Sequence, residues 1–220
     1  MSGTFPITDF DSVTIGSNTP SYTSTSISGK RQVKQIASQY WTIEAKCVPL
    51  QKSQIRAATA FLSKQFNNFY DFDVYFPTIS YSAGQGVLVA AAYPGTSDVM
   101  TITGNVNAGT SSISCDTSYT QAQLDTIVNS YTKFMSAGDF IRFSNHSKVY
   151  QLTDDAGATL SPVGGITLNV FPPLITAVTT ADTVMWKEAP FRVYVSNSSV
   201  DVEYSKEGSA ILDLKLQESL

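Results

Sequence analysis

Two runs of strict alternation, at opposite ends of the chain, limit what this sequence can fold into. Trp41, Ile43, Ala45 and Cys47 alternate with Tyr40, Thr42, Glu44 and Lys46, and Leu212, Leu214 and Leu216 alternate with Asp213, Lys215 and Gln217. A period of two marks a strand with one face turned to a core. A lone terminal strand has no stability of its own, so the closing run must pair with something earlier, most economically the sheet of residues 40–76. Phe191, Val193 and Val195 add a third such run.

Between these runs the pattern changes twice. After Pro49, Ile55, Ala58, Leu62, Phe66 and Phe69 recur at spacings of three and four, which predicts an amphipathic helix with Ser53 as its N-cap and Asn67-Asn68 as its stop. Phe72, Val74 and Phe76 then alternate up to Pro77, completing a strand–helix–strand unit. The Ser/Thr-rich stretch 17–28 reads as a loop or an edge arm ending at Gly29. Small turn-forming residues from Ala83 to Gly95 mark a boundary near Gly84–Gly86, followed by short Thr/Val strands at 99–102 and 111–115. Thr120 and Gln123 form a capping box ahead of Leu124, Ile127, Val128 and Tyr131, a short second helix. Residues 137–152 read as two strands joined by a tight loop at 144–147, and Ile166, Leu168 and Val170 supply another strand, ended by Pro172-Pro173. The expected organisation is mainly β: a discontinuous outer domain of residues 1–84 and 179–220, with one packed helix, and an inserted, small barrel-like module at 85–178 carrying a short helix.

Charge narrows the partners. Charged residues make up 15% of the 220, against about 25% in an ordinary soluble domain. Fourteen Lys+Arg against 18 Asp+Glu leave −4, with a pI near 4.9, which argues against a body built to grip nucleic-acid phosphates. Residues 1–64 hold seven bases and three acids, so this part is +4 and the remainder −8. That asymmetry suits a subunit whose basic patch meets the acidic patch of an identical neighbour. No stretch approaches the roughly 18 apolar residues of a membrane helix, so no membrane insertion is expected. The start, MSGTFP, has neither a basic region nor an apolar core, so no export signal is expected, and Cys47 and Cys115 are expected to be reduced, buried thiols.

Catalytic and metal chemistry find little to work with. His146, the one histidine, sits between Asn145 and Ser147 at the hairpin tip, where a turn-bonding role outweighs a place in a Ser-His-Asp mechanism. Two cysteines with 67 residues between them and one histidine lack zinc spacing. Asp154-Asp155 before Gly157 lacks the further acids of a calcium loop, and Gly84-Gln-Gly86 and Gly164-Gly165 lack the Lys-Ser/Thr of a phosphate loop. Glu188 and Glu203 could be paired for glycosidic chemistry only if the fold brought them together. The aromatics Tyr40-Trp41, Phe69 to Phe76 and Trp186 read as core before they read as a sugar platform. No enzyme activity and no cofactor are expected. A carbohydrate-recognising module remains an alternative from the binding class.

Several ordered segments together resemble a known family. These are residues 29–42 (GKRQVKQIASQYWT), the Pro49-Leu50 helix start before a Phe/Tyr-rich strand, residues 137–150 (AGDFIRFSNHSKVY), the Pro172-Pro173-Leu174 turn and the Pro190-Phe191 strand. They resemble minor tail proteins of tailed bacteriophages, most closely the distal tail, or tail hub, type, with Gly138-Asp139 and Lys148-Val149-Tyr150 as the best short marks. The resemblance implies a β-sandwich similar to that of tail-tube subunits. It also implies a sixfold ring coaxial with the tube, joining it to the tip or baseplate in the virion tail after assembly in the bacterial cytoplasm. Its partners would be itself, the tail tube protein, and hub and fibre proteins, with DNA only in transit through the ring. A tail-tube subunit or a baseplate adaptor is the neighbouring alternative. An acidic lumen would keep a genome from sticking. Asp71, Asp73 and Asp213, on the polar faces of their strands, are the candidate lumen-facing acids, and Lys30, Arg31 and Lys34 the candidate inter-subunit basic patch.

Overall fold

In the computed structural model the alternating runs from the two ends of the chain lie side by side. The structure describes all residues except 1–2, 67, 81, 93–98, 128–131, 159, 161–164, 198–201 and 205–208. Two compact units emerge, residues 1–74 with 192–220, and residues 75–191.

The first unit is built on one sheet. Its strand order is β1 (Phe10–Asn18), β4 (Tyr40–Cys47), β14 (Ala210–Glu218), β12 (Phe191–Val195) and β5 (Phe72–Val74), with β13 (Val202–Tyr204) paired to β14. β14 runs antiparallel to β4, with Leu214 opposite Ala45 and Leu216 opposite Ile43, so the β14 leucines and the β4 run turn the same face inward. The helix α1 (Lys52–Lys64) packs on β14 and buries Ile55, Ala58 and Leu62. Phe61 meets Phe72 and Phe5 edge to face, at centroid distances of 5.4 and 5.9 Å. Glu218 ends β14 on the buried face, where its Oε2 accepts the Trp41 N–H at 3.1 Å. A separate two-stranded hairpin, β2 (Ser21–Thr25) with β3 (Arg31–Gln35), lies between β1 and β4 in sequence.

Several local expectations change. The α1 N-cap is Gln51 rather than Ser53, and its N–H donates to Gln54 Oε1 at 3.0 Å; Ser53 falls inside the first turn. The helix stops at Gln65, before the Asn pair, of which Asn67 is outside the described residues. β1 occupies a stretch where the sequence predicts no strand. Its Val13 and Ile15 are only half-buried among Ser, Thr and Gly, the weak pattern of an edge strand.

The second unit is a closed barrel in the order β10 (Gly165–Phe171), β7 (Ser112–Asp116), β6 (Val99–Ile102), β11 (Thr183–Met185), β8 (Phe140–Phe143) and β9 (Val149–Leu152). Closure leaves the barrel no open sheet edge. Trp186, Phe134, Phe143, Tyr150 and Leu168 fill its core, with Phe134 and Trp186 rings 4.9 Å apart. Three short helices accompany it: α2 (Pro77–Ser80), α3 (Gly86–Ala92) and α4 (Gln121–Ile127). α3 replaces the turns predicted for the small residues after Ala83. The capping box of α4 forms as expected, Thr120 N–H to Gln123 Oε1 at 2.8 Å, while Val128 and Tyr131 are outside the described residues.

Residues 75–84 and 179–191 group with the barrel, where the sequence placed them outside it. The reason is local. β11 is a barrel strand, and Ser82 and Ala83 hydrogen-bond Asp139. Gly84 sits so close to the 134–135 backbone that a Cβ there would lie 2.1 Å from the Phe134 carbonyl oxygen, so the 84–86 glycines serve packing. Gly164, of the other predicted glycine pair, is outside the described residues.

Candidate functional site

Strand alternation that buries one face of the first unit's sheet sends the polar half of each strand to the other face. That face shows Thr42, Glu44 and Lys46 from β4, Asp213 and Lys215 from β14, Arg192 from β12 and Asp73 from β5. Arg192 is the hinge of its electrostatics. Its Nε donates to Asp71 Oδ2 at 2.9 Å and its Nη1 to Asp73 Oδ2 at 3.3 Å. The guanidinium hydrogen bond holds the Asp71 carboxyl below the usual carboxylate range, against the opposing effect of burial. Asp213 stands opposite Lys46 in the strand register, and Lys215 Nζ lies 3.8 Å from Glu44. Asp73 and Asp213 on the sheet, and Asp71 just before β5 and tied to it through Arg192, therefore gather with three bases, and with Glu44 the set comes to one net negative charge. Their separation in sequence hides this: Asp71 and Arg192 are 121 residues apart.

The basic candidates meet in one place. Lys30 lies in the hairpin tip, closed by Ser26 N–H to Lys30 O at 3.0 Å and by Gly29 at φ +79°, and Arg31 and Lys34 follow on β3. Every residue of β2 and β3 is exposed, and Tyr22, Ile27, Val33 and Ile36 are large apolar side chains left in water. Neither hairpin face is covered by its own unit.

A second exposed apolar feature follows α1. Phe66 and Phe69, predicted for the helix stripe, lie beyond the helix end at 70% and 73% exposure, with Tyr70 edge-on to Phe69 at 4.8 Å. Phe66 holds φ +50°, the left-handed conformation that glycine usually supplies after a helix. For a side chain with a Cβ this costs about 1 kcal/mol or more. Phe66→Gly is accordingly expected to stabilise the first unit by about 1 kcal/mol, raising its Tm by roughly 4 °C. Thermal unfolding followed through Trp41 checks this; an unchanged or lower Tm would show that the ring contributes contacts worth more than the strain.

The remaining candidates are spent on structure. Asn145 Nδ2 donates to the Ala177 carbonyl at 2.9 Å, which turns its Oδ1, an acceptor, toward His146 Nδ1. Tyr150 Oη accepts the Ile175 N–H at 3.1 Å. In the neutral His146 ring Nδ1 then carries the hydrogen and Nε2 accepts the Tyr150 hydroxyl proton at 2.8 Å. The ring also stacks on Phe143, 19° from parallel. Burial first, then the charge of Arg142 with help from Lys148, lowers the His146 pKa from its ordinary 6.5, with Asp182 opposing. The unfolded chain thus takes up a proton that the fold resists. Stability is full above pH 6.5 and declines as the pH falls below it. A Tm series from pH 7.5 to 5 should fall more steeply for the native chain than for His146→Gln; parallel slopes would remove His146 from the acid response.

Cys47 and Cys115 are free and buried, each thiol pushed up to about 12 by burial, with lesser contributions from Asp213 and Asp116 respectively. Asp155 accepts from Lys133 Nζ at 3.0 Å and from Ala137 N–H at 2.8 Å, and Asp154 from Asn169 Nδ2 at 3.1 Å. Among the described residues no group of three or more His, Cys, Asp or Glu gathers to hold a metal. The Glu203 side chain is outside the described residues. A cleft of about 710 Å³ on the barrel is lined by Thr103, Ser114, Asp116, Asp155 and Asn169, with no aromatic ring among its described lining residues to stack on a sugar. No described helix is long and apolar enough to cross a membrane.

No protein-family model and no curated protein matches the chain. What the site offers is therefore read from its own geometry: a mixed-charge sheet face, an uncovered basic hairpin and an open sheet edge. Of these, the sequence pointed to the hairpin cations and the acids but held no signal for Arg192, whose partners lie on strands far from it along the chain.

Proposed function

We propose that this chain is a structural ring protein of the distal tail, or tail hub, type in a tailed bacteriophage. In this role it would join the tail tube to the tip or baseplate and enclose part of the DNA channel. One observation carries the reading. β1 ends the sheet, and from Asp11 to Asn18 its outer edge has no strand partner among the described residues. That edge is long, free of Lys and Pro, and bears a single charge, Asp11. A monomer blunts such an edge; an assembling subunit uses it as a template. The sheet with α1 on its apolar face stands for the tail-tube-like layer of the resemblance, and the sandwich and the tail-tube likeness belong to this proposal. The polar face, one net negative charge from its paired groups, would face passing DNA without binding it, because too few unpaired cations are offered to phosphate. The tail tube protein, hub and fibre proteins are the remaining proposed partners.

The experiment is mass photometry with negative-stain electron microscopy of the purified chain. Closed rings with a central hole are expected, a hexamer being six copies of 23.8 kDa, about 143 kDa. A species that remains 23.8 kDa, and does not join purified tails, overturns the reading.

A further inference from the structure

We infer that the β2–β3 hairpin is a docking arm that seats on the acidic barrel unit of a second copy of this chain. The inference rests on the ring reading above and names its contact. A two-stranded hairpin alone is marginal in water, and this one leaves Tyr22, Ile27, Val33 and Ile36 uncovered, so it needs a surface. Residues 19–39 carry Lys30, Arg31 and Lys34 and no acid.

The complementary surface is on the same chain. Residues 75–191 hold four Lys+Arg against eight Asp+Glu, and the other unit ten against ten, which together give the 14 and 18 of the whole. Lys148 and Asp139 are both buried, Lys133 and Asp155 pair with each other, and Arg142 donates to the His146 and Pro190 carbonyls, so the first four groups cancel and the excess of four acids remains. A +3 arm on one unit and a −4 body on the other make a heterologous pair of patches, the kind of contact that repeats head to tail and closes a ring. Five-residue strands with their tip reach about 20 Å, enough to cross to a neighbour. The apolar side chains between the cations favour a protein surface over phosphate, since a phosphate-tracking strand gains nothing from Ile27 or Val33 in water.

Three chains test this: the native protein, an arm-reversed variant (Lys30→Glu, Arg31→Glu, Lys34→Glu) and a barrel-reversed variant (Asp116→Lys, Asp125→Lys, Asp154→Lys, Glu188→Lys). Tm and the emission of buried Trp186 confirm that each is folded. Sedimentation velocity should show native self-association that weakens about tenfold or more between low and high salt. Either variant alone should lose it by a similar factor, and an equimolar mixture of the two should regain it, because the acidic arm then meets a basic barrel. Arm reversal without effect on self-association overturns this inference and leaves the ring reading standing. Loss that the mixture does not restore overturns the barrel as the seat. A native chain that never self-associates overturns both. Arm-dependent retention of a short DNA duplex, with self-association unchanged, assigns the cations to nucleic acid and also overturns it.

Discussion

Leu214→Asp is expected to unfold the unit of residues 1–74 and 192–220 while the barrel stays folded. Leu214 lies on β14, paired to β4 on one side and β12 on the other, is 2% exposed, and faces Ala45 in register. The substitution removes a buried isobutyl group, worth about 3 kcal/mol, and puts a carboxyl among apolar neighbours for about as much again. Their sum approaches the whole stability of an ordinary domain, about 5–15 kcal/mol. The chain carries a reporter for each unit, buried Trp41 in the first and buried Trp186 in the second. With Leu214→Asp in a Trp186→Phe background, emission should shift red to that of exposed indole; in a Trp41→Phe background it should stay blue. Red shifts in both backgrounds would mean that the units do not fold separately, and neither shifting would mean that β14 is dispensable.

The strands this prediction uses were legible, because β4, β12 and β14 each bury one face and expose the other, the condition under which a period of two survives in sequence. Legibility fails where that contrast fails. β1 is an edge strand whose inward residues are half-buried, so nothing forced its Ser, Thr and Gly positions to be apolar. In α3 the run GVLVAAA has no polar face, and its small residues read as turns although Ala90 is buried. Phe66 and Phe69 continue a helical spacing by composition alone; the chain leaves the helix before reaching them, as a sum of local hydrogen bonds that spacing does not register. The candidate acids were visible as polar-face residues, but their shared Arg192 is a tertiary fact. That pairing decides how much charge the face presents, so its electrostatic character could be settled only once the strands were in order.

Asp139 shows the same limit from the other side, and its removal should cost the barrel dearly. Its carboxylate is 5% exposed and accepts three hydrogen bonds: Oδ2 from the Ser82 hydroxyl and the Ser136 N–H at 2.9 Å, Oδ1 from the Ala83 N–H at 2.9 Å. Ser82 Oγ in turn accepts the Gly84 N–H at 3.1 Å, so one side chain holds the 82–84 segment to the turn before β8. Asp139→Ala strands these donors away from water and is expected to cost about 4 kcal/mol, lowering the barrel's Tm by roughly 15 °C. Asp139→Asn keeps the shape but offers one acceptor oxygen. With that oxygen kept on the side of the two donors, the amide nitrogen faces the Ala83 N–H, donor against donor, for about 2 kcal/mol. Ser82→Ala should cost about 2 kcal/mol in the native chain, where the bonds to Asp139 and from the Gly84 N–H both go, and about 1 kcal/mol once Asp139 is Ala, where only the Gly84 N–H bond is left to lose. Denaturant unfolding of the five chains, native, three single variants and the Ser82→Ala/Asp139→Ala double variant, followed through Trp186, reads both the order of the effects and the coupling. Additive losses would sink the clamp, and an Asp139→Asn as stable as the native chain would mean that the buried oxygen needs no second acceptor. Gly138-Asp139 was among the best short marks of the tail-protein resemblance, and here it is a device of the turn: Gly138 at φ +96° reverses the chain and Asp139 fastens it. Turn geometry alone accounts for such a mark, so the proposed assembly rests on the sheet edge and the arm.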